Sequence, residues 1–333
     1  MKLEARLVSS VERPEAYRII SHRHGVIRPN SRILVGLPES DRFQVFDLDT
    51  LLSGDQRPAA DFRIPATAVG DHAFTPDLRT AVFCTADKVV ATGESSWEWP
   101  LAVAGSKNGS VFVPSDGKHV WAVVPAAGDG QEWVVLDAAD GKLVGRASLP
   151  WRAYSTQQQS IDGRVSVTLI EQDSCAIFWG EYGQDGLRLT EVYSDEEVLA
   201  DVDPSGRWLM TINQQGWFVG LRTMPDGNSV AGWCDSRDIS RKLGFSGDDP
   251  THWWSTYGGF VDETTAIVSC RDDDWEIHTH WLLPSPATDA DEATVDLRGP
   301  VKYPGTAAER LWALGDGTWI TADDDSICRW TLD

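Results

Sequence analysis

The stretch VFVPSDGKHVWAVVP, residues 111–125, places the polar break PSDG between two apolar segments. Asp, Pro and Gly favour tight turns, because Pro presets φ and Gly accepts positive φ. Apolar segments on both sides of such a turn are typical of a β-hairpin. Similar breaks return in AFTPDLRTAVF (73–83), SIDGRVSVTLI (160–170), DVDPSGRWLMTI (201–212) and GFVDETTAIVS (259–269). The sequence therefore predicts one small β unit repeated along the chain.

The repeat is also visible in its spacing. The first residues of the strands that follow each break lie roughly 39 to 58 residues apart, as in propeller blades with variable loops: Ile33, Ala81, Val120, Val165, Trp208, Ala266 and Thr318. Four short strands surround each of them, and in the third copy they are GSVFVP, KHVWAVVP, QEWVVLDA and KLVGRASLP. This pattern predicts an all-β, seven-bladed β-propeller of four-stranded antiparallel blades.

The two ends of the sequence complement each other. The seventh copy stops one strand short, whereas KLEARLV, residues 2–8, is a strand without a blade. We expect this segment to complete the last sheet and to close the ring, which removes an open edge. A single domain, 1–333, would then have blades at roughly 19–65, 66–104, 105–150, 151–194, 195–238, 251–300 and 301–333 plus 1–9, with an inserted loop at about 236–252.

Several of these segments resemble the WD-repeat and YVTN-type β-propellers. SICRWTLD, with Trp330, is similar to the third strand of a WD repeat, and VVLDAADGKLV to a YVTN-type hairpin. FTPD, PSDG and DPSG resemble the turn that both groups share. The resemblance implies the propeller fold. It also implies a protein-interaction platform in most members, and in a minority an enzyme with its site at the central channel.

Composition excludes several functions. The formal net charge is −22, from 51 acidic and 29 basic residues, and this balance argues against binding nucleic acid or an anionic membrane surface. No apolar run is long enough for a signal peptide or a membrane span. The five cysteines form no CxxC pair, so they favour neither a disulfide framework nor a zinc site. We expect a cytoplasmic monomer without a cofactor, and small buried residues at Cys84 and Cys270.

Two acidic runs are candidate binding loops. Equivalent loops in the sixth and seventh blades carry Asp272, Asp273 and Asp274, and Asp323, Asp324 and Asp325. Asp is common in turns, but neighbouring like charges destabilise a fold unless a cation relieves them. The cation could be Lys or Arg of a protein partner, or calcium, which the absence of a D-x-D-x-D-G pattern disfavours.

Aromatic residues follow the inserted loop. We expect a short helix there, capped by Ser236 and ended by Gly244, leading to His252, Trp253 and Trp254. The fourth blade begins with Trp151, Arg152 and Tyr154. Aromatic residues with Arg are typical of interaction hot spots, although many of the 16 Trp residues would simply pack between sheets. Adjacent strand residues point to opposite faces, so one of Trp253 and Trp254 should be core and the other exposed.

Histidines provide an alternative, catalytic interpretation. His22, His24, His72 and His252 are predicted on innermost strands near the channel, where they could bind a metal or act as a general base. Strand histidines also commonly form hydrogen bonds at a surface. No GxSxG, Walker or HExxH motif occurs.

These patterns favour a non-catalytic platform whose acidic, aromatic face binds a basic or cationic segment of another protein. The alternative is a lyase or hydrolase of a small metabolite with the four histidines at its channel.

Overall fold

The structure is a computed structural model. It describes residues 3–12, 18–19, 26–27, 32–36, 41–66, 68–103, 109–128, 130–159, 164–172, 174–224, 230–245, 252–272, 278–284, 293–294, 297–305, 308, 310–323 and 325–332. The chain divides into two compact units. The terminal unit comprises Met1–Leu34, Asp47–Arg57 and Glu196–Asp333, and the central unit comprises Val35–Phe46 and Pro58–Asp195.

Strands dominate both units. The first ten, with one short helix, are β1 (Ala5–Glu12), β2 (Arg18–Ile19), β3 (Val26–Ile27), β4 (Arg32–Gly36), β5 (Arg42–Asp47), α1 (Leu48–Leu52), β6 (Ala60–Arg63), β7 (Ala68–Phe74), β8 (Thr80–Thr85), β9 (Lys88–Gly93) and β10 (Trp97–Pro100). The next are β11 (Ser110–Phe112), β12 (His119–Pro125), β13 (Gln131–Asp137), β14 (Leu143–Leu149), β15 (Tyr154–Gln159), β16 (Val165–Ile170), β17 (Cys175–Gly183), β18 (Gly186–Asp195), β19 (Glu197–Val202) and β20 (Trp208–Asn213). The remainder are β21 (Phe218–Thr223), β22 (Val230–Asp235), α2 (Ser236–Lys242), β23 (His252–Asp262), β24 (Thr265–Asp272), β25 (His278–Pro284), β26 (Ala293–Thr294), β27 (Gly299–Pro300), β28 (Arg310–Ala313), β29 (Thr318–Ala322) and β30 (Ser326–Leu332).

The central unit contains three four-stranded antiparallel sheets, formed by β7–β10, β11–β14 and β15–β18 in sequence order. The strands β5 and β6 pair as a further hairpin. In the opening stretch, Phe112 of β11 lies opposite Trp121 of β12, and Gly117 in the turn between them has φ +65. The predicted hairpin and its need for positive φ are therefore confirmed at this turn. The strands β7, β11 and β15 pack side by side, so the first strands of consecutive sheets are neighbours.

The terminal unit repeats the same plan. Its sheets are β19–β22 with β26, β23–β25 with β27, and β28–β30 with β1, while β2 and β3 pair with β4. The strand β23 packs against both β19 and β28. The strand β1 pairs antiparallel with β30, from Ala5 opposite Leu332 to Glu12 opposite Ser326. The N-terminal strand does join the last sheet, but it begins and ends later than the predicted 2–8.

Apolar side chains fill the space between neighbouring sheets. In the central unit the rings of Trp121 and Trp133 lie 4.9 Å apart. Gly180 leaves room for them, because a Cβ there would lie 2.6 Å from Trp121. A buried polar link also joins two first strands: Gln157 of β15 accepts from the Trp133 indole at 2.8 Å and donates to Ser110 of β11 at 3.0 Å. These contacts hold β11 beside β15.

Four of the five cysteines are buried, and all five are free thiols. Burial raises the pKa of Cys84 and of Cys270 to about 12. The prediction of small buried residues at these two positions is confirmed. Among the described residues, no helix has the length and apolar character needed to cross a membrane.

The sequence predicts α2 but not α1. The helix α1 begins at the N-cap Asp47, whose carboxylate accepts from Thr50 N–H. It buries three leucines. Arg329 of β30 donates to Asp49 of this helix at 2.6 Å. The helix α2 lies where a short helix was expected, but its N-cap is Asp235 and not Ser236.

Candidate functional site

The candidate site lies in the terminal unit, where α2 packs against β22 and β23. Three residues near the ends of α2 have exposed apolar side chains, and we call them the α2 surface: Trp217, Leu243 and Phe245. Trp217 is 58% exposed and Phe245 is 50% exposed. Large aromatic side chains this exposed are uncommon on strands and turns that otherwise bury their Trp residues.

The helix α2 is short, but both of its ends are fixed. The Asp235 carboxylate accepts from Arg237 N–H at 2.8 Å and pairs with the Arg237 guanidinium. Ile239 is buried beneath the helix. Gly244, with φ +91, donates to the Arg241 carbonyl, and the Phe245 N–H donates to the Ser240 carbonyl at 2.9 Å. This helix end sets the position of Phe245.

The turn that carries Trp217 is equally well fixed. The Asn213 side-chain oxygen accepts from Gln215 N–H at 3.0 Å and from Trp217 N–H at 3.4 Å. Gly216 has φ +77 and lies against the backbone of Trp254, whose N–H donates to the Gly216 carbonyl at 2.8 Å. The Trp217 carbonyl accepts from Ser236 N–H at 2.7 Å. The backbone of Trp217 is thus held from both sides while its ring stays exposed.

The residues that follow the inserted loop form the floor of the site. Trp254 is 1% exposed and its indole donates to the Cys234 carbonyl at 3.1 Å. Trp253 is half-buried. The expected division between the two is confirmed for Trp254 as core, and Trp253 is only partly exposed. His252 is buried, and its ring lies 5.4 Å from that of Phe245.

Acidic groups flank the α2 surface. Glu196 is exposed and accepts from the Asn213 side-chain amide at 3.3 Å, so it lies beside the Trp217 turn. Asp272 is half-buried at the end of β24, as the strand partner of His252. The exposed cations of α2 also have partners. Arg237 and Arg241 pair with carboxylates of the same segment, and Lys242 donates to the Leu297 carbonyl at 2.6 Å.

In the acidic run 323–325, Asp323 also has a structural role. Asp323 accepts from Asp325 N–H at 2.8 Å and from Ser326 N–H at 2.6 Å, so its carboxylate orders the turn between β29 and β30. Asp323 and Asp325 are both exposed. Asp273, Asp274 and Asp324 lie outside the described residues.

Comparison with known proteins identifies the fold. No protein-family model matches the chain, and no curated protein does. The β-propeller domain of Myceliophteria thermophila Cps50 (Swd1) is similar over 99% of this chain and 100% of that one, with 12% identity and a TM-score of 0.57. The dihydro-heme d1 dehydrogenase NirN, solved in complex with DHE, is similar over 94% of this chain, with 15% identity and a TM-score of 0.53. This chain spans 62% of the length of NirN.

The chain has a β-propeller fold. The sheets of this propeller are mostly four-stranded and antiparallel, as the sequence predicts, apart from the short β26, which pairs parallel with β22. The comparison structures are too distant in sequence to carry more than the fold, and one of them is named as an enzyme. Function is therefore argued from the surface of this propeller.

The other predicted aromatic cluster lies in the central unit. Trp151 and Arg152 are half-buried, whereas Tyr154 is 53% exposed. The Trp151 side chain packs against the apolar core that includes Trp121 and Leu149. Only Tyr154 of the three presents a large aromatic surface.

The predicted channel histidines that the structure describes are His72 and His252. The ring of His72, in the central unit, lies 5.2 Å from that of Phe43, and His252 belongs to the terminal unit. His22 and His24 lie outside the described residues. Within the part of the propeller that the structure describes, no three His, Cys, Asp or Glu side chains come together in a way that could hold a metal ion.

Sequence reasoning missed Trp217, Phe245 and Glu196. The segment NQQGW, residues 213–217, does contain residues typical of turns. They are Asn213 and, three residues later, Gly216, which comes immediately before Trp217. Phe245 follows the Gly that ends α2, where the next residue has no place in the helix. Both signals mark a turn, but neither shows that the next aromatic residue is exposed.

Proposed function

We propose that this propeller is a non-catalytic platform that binds a basic segment of another protein at the α2 surface. The observation that carries the proposal is the exposed Trp217 on a turn whose backbone is fixed by hydrogen bonds on both sides. Because the backbone of this turn is already fixed, binding costs little further backbone entropy. Exposed Trp residues on a fixed backbone are typical of interface hot spots.

The second support is charge. Glu196 lies beside the Trp217 turn and Asp272 lies opposite His252, while Arg237 and Arg241 of α2 each pair with a carboxylate of the same segment. A partner with an apolar anchor and flanking Lys or Arg matches this arrangement, because opposite charges at an interface rim speed association. We infer that the acidic turn with Asp323 and Asp325 belongs to the same rim.

The finer architecture belongs to the same proposal. We infer seven blades closed into a ring, in which β1 completes the last blade, and the pairing of β1 with β30 supports that closure. The propeller would act in the cytoplasm. Tyr154, with Trp151 and Arg152, would serve as a second contact region for the partner.

The test uses a random peptide library displayed on phage and selected on the immobilised protein. We expect the selected peptides to combine Lys or Arg with a large apolar residue. Synthetic copies should bind the Trp217→Ala variant at least about 30-fold more weakly, because a hot-spot side chain contributes roughly 2 kcal/mol or more. Glu196→Gln and Asp272→Asn should reduce the salt dependence of binding.

Gln215→Ala is the matched control, since it changes an exposed polar residue of the same turn and leaves Trp217 in place. Its peptide affinity should stay within about threefold of the unmodified protein. Selected peptides rich in Asp and Glu, or peptides that bind the Trp217→Ala variant unchanged, would refute the proposal.

A further inference from the structure

The Trp217 turn holds an exposed carboxylate close to its exposed ring. The amide of Asn213 joins the two, because it donates to the Glu196 carboxylate at 3.3 Å and accepts from the Trp217 N–H at 3.4 Å. The backbone adds a second link, in which Gln214 N–H donates to the Glu196 carbonyl at 2.9 Å. Asn213 is buried, whereas Glu196 and Trp217 are exposed. A carboxylate and an indole ring are therefore presented together by one fixed turn.

Neither group has a cation of its own in the part of the chain that the structure describes. Other exposed glutamates do, since Glu94, Glu98 and Glu263 each pair with a Lys or Arg side chain. Glu196 forms no such pair with a described residue, and no described cation or second aromatic ring lies against the Trp217 ring. Carboxylates and indole rings both attract cations. The turn therefore favours a ligand that supplies a cation to both groups at once.

Arginine suits this pair of groups better than lysine does. Its planar guanidinium can stack flat on an aromatic ring while its edge donates two parallel hydrogen bonds to a carboxylate. The ammonium of lysine is a compact point charge and makes neither contact in this form. The chain itself contains both arrangements. Arg164 lies over the ring of Trp179 at 5.4 Å. Arg222 donates to both carboxylate oxygens of Glu197.

A trimethylated lysine is another cation that aromatic side chains bind. Proteins usually enclose such a quaternary ammonium in a cage of several aromatic rings. It has no N–H group, so it cannot donate a hydrogen bond to a carboxylate. Trp217 provides a single ring among the described residues, and Glu196 beside it is a hydrogen-bond acceptor. One ring with one carboxylate therefore favours a guanidinium group over a quaternary ammonium.

We propose that the α2 surface binds an arginine of its partner, with the guanidinium stacked on Trp217 and hydrogen-bonded to Glu196. This inference rests on the proposed function and specifies which basic residue of the partner binds at the turn. A lysine at the same position of the partner keeps the charge but loses the stacked, bidentate geometry. The partner segment is therefore recognised by the shape of its cation in addition to its charge.

The experiment is isothermal titration calorimetry with a peptide from the phage selection whose binding requires Trp217. Each Arg of the peptide is replaced in turn by Lys. At one position this change should weaken binding to the unmodified protein at least about fivefold, because a bidentate, charge-assisted pair is lost. Glu196→Gln should weaken binding of the original peptide by a similar factor. With this variant, the Arg and Lys peptides should differ by less than about twofold, because the two changes remove the same interaction.

Glu263→Gln is the matched control, because it removes the same charge from another exposed glutamate of the same unit. Glu263 follows the last residue of β23, whereas the Trp217 turn contacts Trp254 near the first. This variant should keep the full preference for Arg. Gln at position 196 retains an oxygen and an amide for contacts with Asn213, so the Glu196→Gln variant should melt at the same temperature as the unmodified protein.

The outcomes separate this inference from the proposed function. A peptide that requires Trp217 but binds equally well with Lys in place of each Arg would overturn the inference and leave the proposed function standing. A preference for Arg that persists in the Glu196→Gln variant would overturn it as well, since the carboxylate would not then be the acceptor. A selection in which no basic peptide requires Trp217 would refute both.

Discussion

Gly216 and Gly244 both have positive φ, but their surroundings differ. A Cβ on Gly216 would collide with the carbonyl oxygen of Trp254, whereas a Cβ on Gly244 would meet no atom within 4 Å. Gly216 therefore provides both a positive φ and room for the backbone of Trp254 to approach closely. Gly244 provides the positive φ alone. The approach at Gly216 is what fixes the Trp217 turn against β23.

This difference predicts unequal effects of alanine. Gly244→Ala should lower the free energy of unfolding by about 1 kcal/mol, from the left-handed backbone alone. Gly216→Ala should lower it by about 3 kcal/mol, because the turn must also move away from Trp254. Urea unfolding of the two variants measures both values. Equal losses would mean that the turn shifts at no cost and that Trp217 is not rigidly presented.

The helix α2 depends on its cap. Burial alone would raise the pKa of Asp235, but the hydrogen bonds and charge of Arg237 outweigh it and hold the pKa below its ordinary value. The ionised cap therefore stabilises the fold at neutral pH. Because the folded-state pKa is the lower one, this contribution is complete above the ordinary value of about 3.9 and is lost as the pH falls through the lowered pKa.

Variants of Asp235 separate shape from charge. Asp235→Ala should cost about 1 kcal/mol at pH 7 through loss of the cap. Asp235→Asn keeps the acceptor oxygen and should cost less. The stability difference between Asp235→Asn and the unmodified protein should shrink as the pH falls below about 4, in thermal unfolding followed by circular dichroism. A difference that grows on acidification would show that Arg237 does not stabilise the carboxylate.

Local chemistry explains which elements were predictable. The hairpin turns were predictable because they need a positive φ that Gly accepts, and both Gly117 and Gly141 have a positive φ. The sequence predicts α2 because its first residues and Gly244, just after its C-cap, follow standard helix-capping patterns. The helix α1 was not, since five residues provide little periodicity and its leucines resemble a strand.

The site was less predictable than the fold. Strand alternation predicts that one of Trp253 and Trp254 is buried, but the exposure of Trp217 depends on how the turn after β20 lies against β23. That contact joins residues distant in sequence, and no local pattern encodes it. The same holds for Glu196, which is placed beside Trp217 by the Asn213 side chain.

We expect the last sheet to depend on β1 for its stability. Removing residues 1–12 deletes the outer strand of the last sheet and takes the buried Leu3 and Ala5 from the apolar core that contains Trp319. We expect a loss of several kilocalories per mole in unfolding free energy and reduced solubility, because β30 becomes an unpaired edge. Calorimetry and the soluble yield measure both. A synthetic peptide of residues 1–12 should restore stability in trans, and a truncated protein that melts like the intact one would refute the dependence.

The pairing of β1 with β30 also determines when this protein can finish folding during its synthesis. The ribosome makes β1 long before the strand that receives it, because Ser326–Leu332 follows only after more than three hundred further residues. At typical elongation rates that delay is roughly 15 to 65 s. For all of that time the apolar segment around Leu7 and Val8 leaves the exit tunnel without its partner, at the stage when nascent chains are most exposed to chaperones and to one another. Polysomes, which hold many such segments close together, are the place where this chain needs that protection most.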